Sequence, residues 1–192
     1  MPRFVVTTSQ ELGSPTLLRN YSASWSMAPE ATICQAARAT SAAPTFLPPV
    51  YINGIGYVDG ALSYNNPIFK AREEAQHLWP GQKMACIISI GTGLTTPKDA
   101  GQSPSSLIKF AVDKMTRSDE TARAFETEIQ QSNGGYEQKI YYRFNVPRGL
   151  DGIEIDEISK APRVLAATMN YLNENWAKRD ACVAGLLGRL GR

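Results

Sequence analysis

Short apolar runs along this chain predict strands, and the glycines beside them predict where the strands end. The run RFVVTT (3–8) is rich in β-branched residues and predicts a buried strand. KMACIISIGTG (83–93) is continuously apolar and closes on glycines, a pattern typical of a central strand in a parallel sheet. QKIYYRFNV (138–146) alternates apolar and polar residues, which predicts one further strand.

The segment PPVYINGIGYVDG (48–60) predicts a β-hairpin, because Asn53-Gly54 separates two apolar arms. Its second arm leads directly to Asp59. Asn66-Pro67 then predicts an N-cap followed by proline in the first turn of a helix. Asp59 is therefore expected at the end of a strand, shortly before a helix begins.

Three further segments predict helices, and the remaining long stretch, residues 9–28, is polar and predicts a loop. The first helix, within 30–43, ends before Pro44 and has a packing face of small residues, namely Ile33, Ala36, Ala37 and Thr40. The second, at 104–131, is expected to break near 116–119. The third region carries a C-terminal apolar stripe of Ile158, Ala161, Leu165, Leu172 and Trp176. This alternation of strands and helices predicts one α/β domain across residues 1–192.

Composition excludes several classes of protein. Lys and Arg number 20 against 18 Asp and Glu, and no basic tract is present, so the sequence argues against a nucleic-acid partner. The N-terminal MPRFVVTTSQ has no signal-peptide core, and no run reaches the roughly 20 apolar residues of a membrane span. A cytoplasmic protein is the expectation, with contact to a membrane surface still open.

The few cysteines and the single histidine limit the chemistry. Cys34, Cys86 and Cys182 have no metal-ligand or disulfide spacing, and with His77 alone a zinc site and a Ser-His-Asp triad are both disfavoured. No metal or cofactor is predicted, and although no acidic loop has calcium-ligand spacing, calcium dependence stays open. Gly91-Thr92-Gly93 lacks the rest of a phosphate-binding motif and is more typical of a tight turn after a strand.

Asp59 is the residue with the most distinctive setting. It lies in YVDGALSYNNP (57–67), between apolar neighbours, with Lys70 as the nearest following cation. Desolvation raises the pKa of an aspartate from its ordinary value of about 3.9, which would suit Asp59 to take a proton from a hydroxyl group. The alternative is an ordinary Asp-Gly turn.

Three ordered segments resemble the C-terminal part of a patatin-like phospholipase domain. They are ATICQAARATSAAPTFLPPV (31–50), YVDGALSYNNP (57–67) and ISIGTG (88–93). The resemblance is strong over residues 3–95 and loose over 96–192, which would hold C-terminal helices and one further strand. It implies a three-layer α/β sheet with helices on both faces and the N-terminal part missing. It also implies a lipid acyl hydrolase with a Ser-Asp dyad.

The resemblance assigns the motif to Asp59, Gly60 and Ala61, with Asp59 as the catalytic base. The family's serine belongs to a Gly-x-Ser-x-Gly segment, and none occurs in the 192 residues. Ser41 lacks the flanking glycines, and Ser89 sits inside a strand run, so neither is a suitable substitute. The nucleophile is expected outside this chain, and the chain alone is expected to be inactive and marginally stable.

Two other interpretations stay open. The chain could be a catalytically inactive remnant that binds a lipid surface or a protein, with the apolar side chains of the loop at 9–28 making the contact; these are Leu17, Leu18, Tyr21, Trp25 and Met27. The same side chains would serve equally well to cover the sheet. The chain could also be a fragment that has no function alone. Head group, acyl chain and oligomeric state are not indicated by the sequence.

Overall fold

The computed structural model describes residues 1–44, 46–94, 106–132, 140–151, 153 and 157–187, with the backbone alone for 106–116. These residues form two compact units, divided between Pro67 and Ile68. Each unit combines strands with helices, which confirms the α/β class. The prediction of a single domain stays a prediction.

The first unit is a four-stranded antiparallel sheet with two helices packed against it. Its elements are β1 (Phe4–Ser9), β2 (Pro15–Arg19), α1 (Ile33–Thr40), β3 (Val50–Ile52), β4 (Ile55–Asp59) and α2 (Ala61–Tyr64). The strands lie in the order β2-β1-β4-β3, so β1 and β4 are the two central strands. The two central strands pair with Thr7 opposite Asp59 and Thr8 opposite Val58.

The predicted hairpin is confirmed as β3 and β4. Asn53 and Gly54 have φ angles of 52° and 82°, the left-handed values that a two-residue type I′ turn requires. Ile52 therefore pairs with Ile55, and the register runs on to place Val50 opposite Tyr57. The turn sets the register of β4 and therefore which of its residues face the core. The same register decides on which face of the sheet the Asp59 side chain lies.

The prediction of a loop at 9–28 is wrong, because β2 lies within it. Leu17 and Leu18 are 8% and 3% exposed and pair with Val6 and Val5 of β1. Their burial comes from contacts with distant residues, which the polar composition of the segment does not reveal. Met27 is fully exposed, so part of the segment does present an apolar side chain to solvent.

Helix α1 is shorter than predicted, and its predicted packing face is right for Ala36 and Thr40 and wrong for the other two residues. A capping box between Thr32 and Gln35 starts it at Ile33. Ile33 is 89% exposed and Ala37 is also exposed, so the predicted face is wrong in both. The buried residue is Ala39, which joins a core cluster with Leu18, Ile52 and Tyr57. An alanine at this point lets the helix backbone approach the sheet closely.

The second unit is built around a short parallel pair of strands. Its elements are α3 (Ile68–Leu78), β5 (Ile87–Ile90), α4 (Ser106–Ser132), β6 (Tyr141–Phe144), a 3-10 turn (Ile158–Lys160), α5 (Ala161–Glu174) and α6 (Trp176–Leu187). β5 and β6 pair in parallel with Ile87 opposite Tyr141. Residues 104–105 of the predicted helix and 138–139 of the predicted strand lie outside the described residues.

The apolar run at 83–93 forms a strand, but a shorter and more exposed one than predicted. Only residues 87–90 are in β5, and Ile88 and Ile90 are 40% and 79% exposed. Ile87 packs on the other side against a cluster made of Ile68, Phe125, Ile129 and Tyr141. Ile87 therefore lies on the covered face of β5. Ile88 and Ile90 lie on the opposite face, which the described residues of the second unit leave exposed.

Helix α4 runs through 116–119 without the predicted break. Ser118 and Asp119 contact β6 and the residue after it: Ser118 Oγ accepts a hydrogen bond from Arg143 of β6, and Asp119 Oδ1 accepts one from Asn145. A polar cluster that would signal a turn in isolation is here the contact face of a helix. The start of α3 differs from the prediction by one residue, since the helix begins after Pro67.

The predicted C-terminal stripe is also wrong in part. Ile158, Leu165 and Trp176 are 87%, 64% and 61% exposed, whereas Tyr171 and Cys182 are the buried residues of α5 and α6. Periodicity finds an apolar face but does not say which part of it is covered. Within the described part of the chain, no helix is both long enough and apolar enough to cross a bilayer.

Candidate active site

Asp59 is the last residue of β4, and its backbone is fixed from two sides. Its N–H donates to the carbonyl of Ala42, 3.0 Å away in the segment after α1. Its carbonyl accepts a hydrogen bond from Thr8 Oγ1 of β1 at 3.2 Å. The strand end is therefore held both by the sheet and by the chain leaving the helix, as a positioned catalytic group requires.

The carboxylate of Asp59 is half-buried and accepts one hydrogen bond. Ala61 N–H donates to Oδ1 at 2.7 Å, which is the geometry of an Asx turn. Among the residues that the structure describes, Asp59 takes part in no ion pair. One carboxylate oxygen is thus used to orient the side chain, and the other has no bound donor in the described part of the chain. The turn and the base interpretations of Asp59 are compatible in this geometry.

Gly60 is required by a close backbone contact. A Cβ atom at this position would lie 2.2 Å from the carbonyl oxygen of Val6 and 2.6 Å from its carbonyl carbon. Its φ and ψ, −65° and −20°, are ordinary helical values, so the contact and not the backbone conformation demands glycine. The Gly60 carbonyl then accepts N–H groups from Ser63 and Tyr64 and begins α2.

Three threonine hydroxyl groups tie the surrounding segments together. Thr7 Oγ1 donates to Val58 O at 2.7 Å, and Thr40 Oγ1 donates to Val6 O at 2.6 Å. Thr8 Oγ1, besides its bond to Asp59, lies 2.8 Å from Ser63 Oγ. The sequence does not reveal this network, because the threonines of RFVVTT are recognisable there only as strand formers. Each hydroxyl links two segments that meet at the strand end.

An open cleft of about 670 Å³ borders the same strand end. Its walls come from β1, from the segment after α1 and from the residues on either side of the Asp-Gly-Ala motif. The lining residues are Thr8, Ser9, Gln10, Gly13, Pro44, Phe46, Leu47, Pro48, Pro49, Val58 and Leu62. Asp59 does not itself line the cleft, although Val58 and Leu62 bracket its motif.

A family model for patatin-like phospholipases matches residues 4–72. These residues belong to the patatin-like phospholipase family. The match runs from β1 through the hairpin to α3, and includes Asp59, Gly60 and Ala61. The resemblance inferred from the sequence is thereby confirmed, whereas the role of Asp59 stays a prediction.

Curated relatives agree with this assignment. The chain is similar to Phospholipase A I of Arabidopsis thaliana, at 34% identity over 74% of this chain and 11% of the relative. It is 32% identical to Patatin-like phospholipase 1 of Plasmodium falciparum, over 71% and 23% of the two chains. It is 29% identical to Calcium-independent phospholipase A2-gamma of Mus musculus, over 73% of this chain and 18% of the relative. The chain therefore spans between about a tenth and a quarter of the length of these relatives.

The other residues considered from the sequence lie in structural positions. His77 is exposed at the end of α3, with Nδ1 2.8 Å from the carbonyl of Glu73. Ser41 follows α1, and its hydroxyl donates back to Ala37 O. Ser89 is buried and accepts a hydrogen bond from Arg143. That neither serine is the nucleophile stays a prediction.

The predicted tight turn at Gly91-Thr92-Gly93 is wrong, because the chain continues alongside the residues at the end of β6 and just after it. Gly91 N–H donates to Phe144 O, and Gly93 N–H donates to Asn145 Oδ1 at 2.7 Å. A Cβ at Gly91 would lie 2.3 Å from the same Asn145 oxygen. Glycine at position 91 therefore lets this segment lie close to Asn145, just after β6. In the described residues, no three ligand-type side chains cluster as a metal site would need.

Proposed function

We propose that this chain carries the general base of a patatin-like lipid acyl hydrolase. Asp59 is that base, and the serine that it activates lies outside these 192 residues. The observation that supports the proposal most is the setting of the Asp59 carboxylate. It ends a fixed central strand inside the family match, Ala61 N–H orients one of its oxygens, and no cation in the described part of the chain pairs with it.

In the first half of the proposed reaction, the serine oxygen attacks the carbonyl carbon of an acyl ester. Its proton passes to the Asp59 carboxylate, and a tetrahedral oxyanion forms. Backbone amides of a glycine-rich segment, also outside this chain, would donate hydrogen bonds to that oxyanion. When the intermediate collapses, the ester C–O bond breaks and Asp59 returns its proton to the departing alcohol. An acyl-serine remains.

In the second half, water replaces the alcohol. Asp59 takes a proton from the water as its oxygen attacks the acyl carbon, and the acyl–serine bond then breaks. The fatty acid leaves, and the serine oxygen regains the proton from Asp59. One carboxylate thus serves both half-reactions, and no histidine, metal or cofactor is needed.

The proposed substrate is an acyl lipid, taken from a membrane surface and hydrolysed in the cytoplasm. The names of the relatives support a phospholipid or a similar ester. The proposed mechanism gives no role to a nucleic acid, and the near balance of Lys and Arg against Asp and Glu gives no support to one as partner. Oligomeric state has no part in the proposal.

Labelling with a fluorophosphonate tests the proposal, because such reagents bond to activated serines. The coding sequence upstream of Met1 is read, and the longest encoded polypeptide is labelled and mapped by mass spectrometry. We expect one labelled serine, within a Gly-x-Ser-x-Gly segment outside residues 1–192. Absence of such a segment, or no labelling of it, would contradict the proposal and favour an inactive binding remnant.

A further inference from the structure

The peptide unit between Asp59 and Gly60 is held by the side chain of Thr8. β4 ends at Asp59, and the carbonyl oxygen of this residue accepts a hydrogen bond from Thr8 Oγ1 at 3.2 Å. Thr8 is 4% exposed, so little water competes for this bond. The hydroxyl group of Thr8 therefore helps to fix the direction in which the chain leaves the strand.

The orientation of the Asp59 carboxylate depends on that direction. Its Oδ1 accepts a hydrogen bond at 2.7 Å from Ala61 N–H, two residues further along the chain. Each peptide unit is planar, so rotation of the unit between Asp59 and Gly60 moves Ala61 N–H relative to the carboxylate. Because Thr8 holds the carbonyl oxygen of this unit, it also sets where the Ala61 donor lies.

A second hydroxyl group orients the first. Ser63 Oγ, in α2, lies 2.8 Å from Thr8 Oγ1. Thr8 has one hydroxyl hydrogen, so when that hydrogen binds the Asp59 carbonyl, the Ser63 hydroxyl is the donor in their contact. The hydrogen bonds then run from Ser63 to Thr8 to Asp59, and bonds in such a chain strengthen one another.

The strand register keeps the Thr8 side chain away from the Asp59 carboxylate. Thr8 pairs with Val58, whereas Asp59 pairs with Thr7, so the side chains of Thr8 and Asp59 lie on opposite faces of the sheet. Thr8 can therefore act on the carboxylate only through the backbone. This makes it a candidate positioning residue and not a catalytic one.

We propose that Thr8, oriented by Ser63, positions the Asp59 carboxylate to take the proton of the serine. The inference rests on the proposed function, in which Asp59 is the base. A general base must lie within hydrogen-bond reach of the proton that it takes, and small errors in its placement lower the rate strongly. The bond from Ala61 N–H supplies this placement, and the two hydroxyl groups maintain it.

Hydrogen exchange at single residues measures the positioning without any turnover. The protein is the longest polypeptide encoded with this chain, and electron-transfer fragmentation reads Ala61 N–H separately. Thr8→Val keeps the branched shape but loses the hydroxyl group, so we expect Ala61 N–H to exchange about tenfold faster. Gln10 N–H donates to Gly56 O at the other end of the β1–β4 pair, and its exchange should change less than about twofold. Equal acceleration of both amides, or of neither, would overturn the proposal.

Two further variants separate the hydroxyl group from the shape of the side chain. Thr8→Ser keeps the donor and should keep the slow exchange of Ala61 N–H. Ser63→Ala removes the group that orients Thr8 and should accelerate this exchange about threefold. Ser63 is half-buried, so Ser63→Ala keeps the proposal testable if Thr8→Val does not fold. Exchange as fast in Thr8→Ser as in Thr8→Val, or unchanged exchange in Ser63→Ala, would overturn the proposal.

Ester turnover by the same proteins tests the consequence for catalysis. Thr8→Val should lower kcat about tenfold and leave KM within about twofold, because a misplaced base weakens the transition state and not substrate binding. Thr8→Ser should restore kcat. Glu11→Gln is the control, since Glu11 binds Gly56 on the same strand as Asp59, and the folded variant should keep wild-type kcat. An unchanged kcat in Thr8→Val, or a loss confined to KM, would overturn the proposal.

The two readouts distinguish failure of this inference from failure of the proposed function. If Asp59→Asn keeps full activity, the proposed function fails, and the exchange of Ala61 N–H still decides whether Thr8 holds the carboxylate. If Asp59→Asn is inactive while Thr8→Val keeps its kcat, only the positioning role of Thr8 is overturned.

Discussion

Substitution of Gly60 by alanine tests how the motif holds Asp59 in place. The new Cβ would lie 2.2 Å from Val6 O, where no Cβ contact is normally found, and the obstacle is backbone of a central strand. To relieve the contact, β1 and the end of β4 must separate. This movement would disturb the pairing of Thr7 with Asp59 and the hydroxyl bonds across the junction.

The size of the effect follows from two opposing terms. Overpacking of this kind costs typically about 1–3 kcal/mol, and a rigid neighbour places it near the upper end. Alanine at a helical φ and ψ recovers about 1 kcal/mol at most, because it reduces the freedom of the unfolded chain. The first unit should therefore lose about 2 kcal/mol, which at a urea slope of about 2 kcal/mol per molar lowers its midpoint by about 1 M.

Urea unfolding followed by far-UV circular dichroism measures this shift, and peptide-resolved hydrogen exchange should place the loss in β1 and β4. Gly185→Ala is the matched control. Its Cβ would meet Tyr142 Oη at 3.7 Å, an ordinary contact, and in α6 the change should be neutral or stabilising. An unchanged midpoint for Gly60→Ala, with native exchange in β1, would refute the argument from close approach.

Two further predictions concern stability. Glu11 accepts a hydrogen bond from Gly56 N–H at 2.9 Å, and this bond, the largest cause, lowers the pKa of Glu11 below its ordinary 4.5. Because the folded pKa is the lower one, the stabilisation is complete above the unfolded pKa and is lost as pH falls through the folded pKa. Glu11→Gln should thus lower the urea midpoint at neutral pH, and in acid its midpoint should approach that of the wild type. A difference between the two midpoints that does not change with pH would contradict this. Phe125 is fully buried, and its ring centroid lies 4.9 Å from that of Tyr141. Phe125→Ala should therefore lower the free energy of unfolding of the second unit by about 4 kcal/mol in a thermal melt. Ile158 is exposed, so Ile158→Ala should leave it unchanged, and equal effects of the two substitutions would contradict the prediction.

Local signals in the sequence predicted the parts of the fold that depend on local structure. Asn53-Gly54 specified the hairpin because its turn conformation is set by those two residues. The end of a strand at Asp59 followed from the same turn. The family assignment also came from ordered local motifs, and the match to 4–72 confirms it.

Features that depend on distant partners were mispredicted. β2 was missed because Leu17 and Leu18 owe their burial to β1, not to their polar neighbours. The break in α4 was wrong because Ser118 and Asp119 bind residues of β6 and just after it, far along the chain. Similarly, periodicity placed Ala36 of α1 against the sheet correctly, but it included the exposed Ile33 and missed the buried Ala39.

The residues around Asp59 also divide into features that local sequence predicts and features that depend on distant residues. The sequence predicted Asp59 at a strand end with Gly60 beside it, but it did not identify the group that lies against the glycine. That group is Val6, more than fifty positions earlier, whose carbonyl occupies the space of a side chain. The hydroxyl bonds of Thr7 and Thr8 likewise cross from β1 to β4, and only the strand register brings these groups together.

The central claim is that Asp59 is the base of a serine hydrolase, and ester turnover tests it most directly. The longest polypeptide encoded with this chain is assayed on an acyl ester as wild type, Asp59→Asn and Asp180→Asn, the last being an exposed carboxylate on α6. Asparagine keeps the shape of Asp59 but accepts no proton, so we expect Asp59→Asn to lose about a thousandfold in kcat with native circular dichroism. Asp180→Asn should retain wild-type activity. A folded Asp59→Asn enzyme with undiminished kcat would contradict the account.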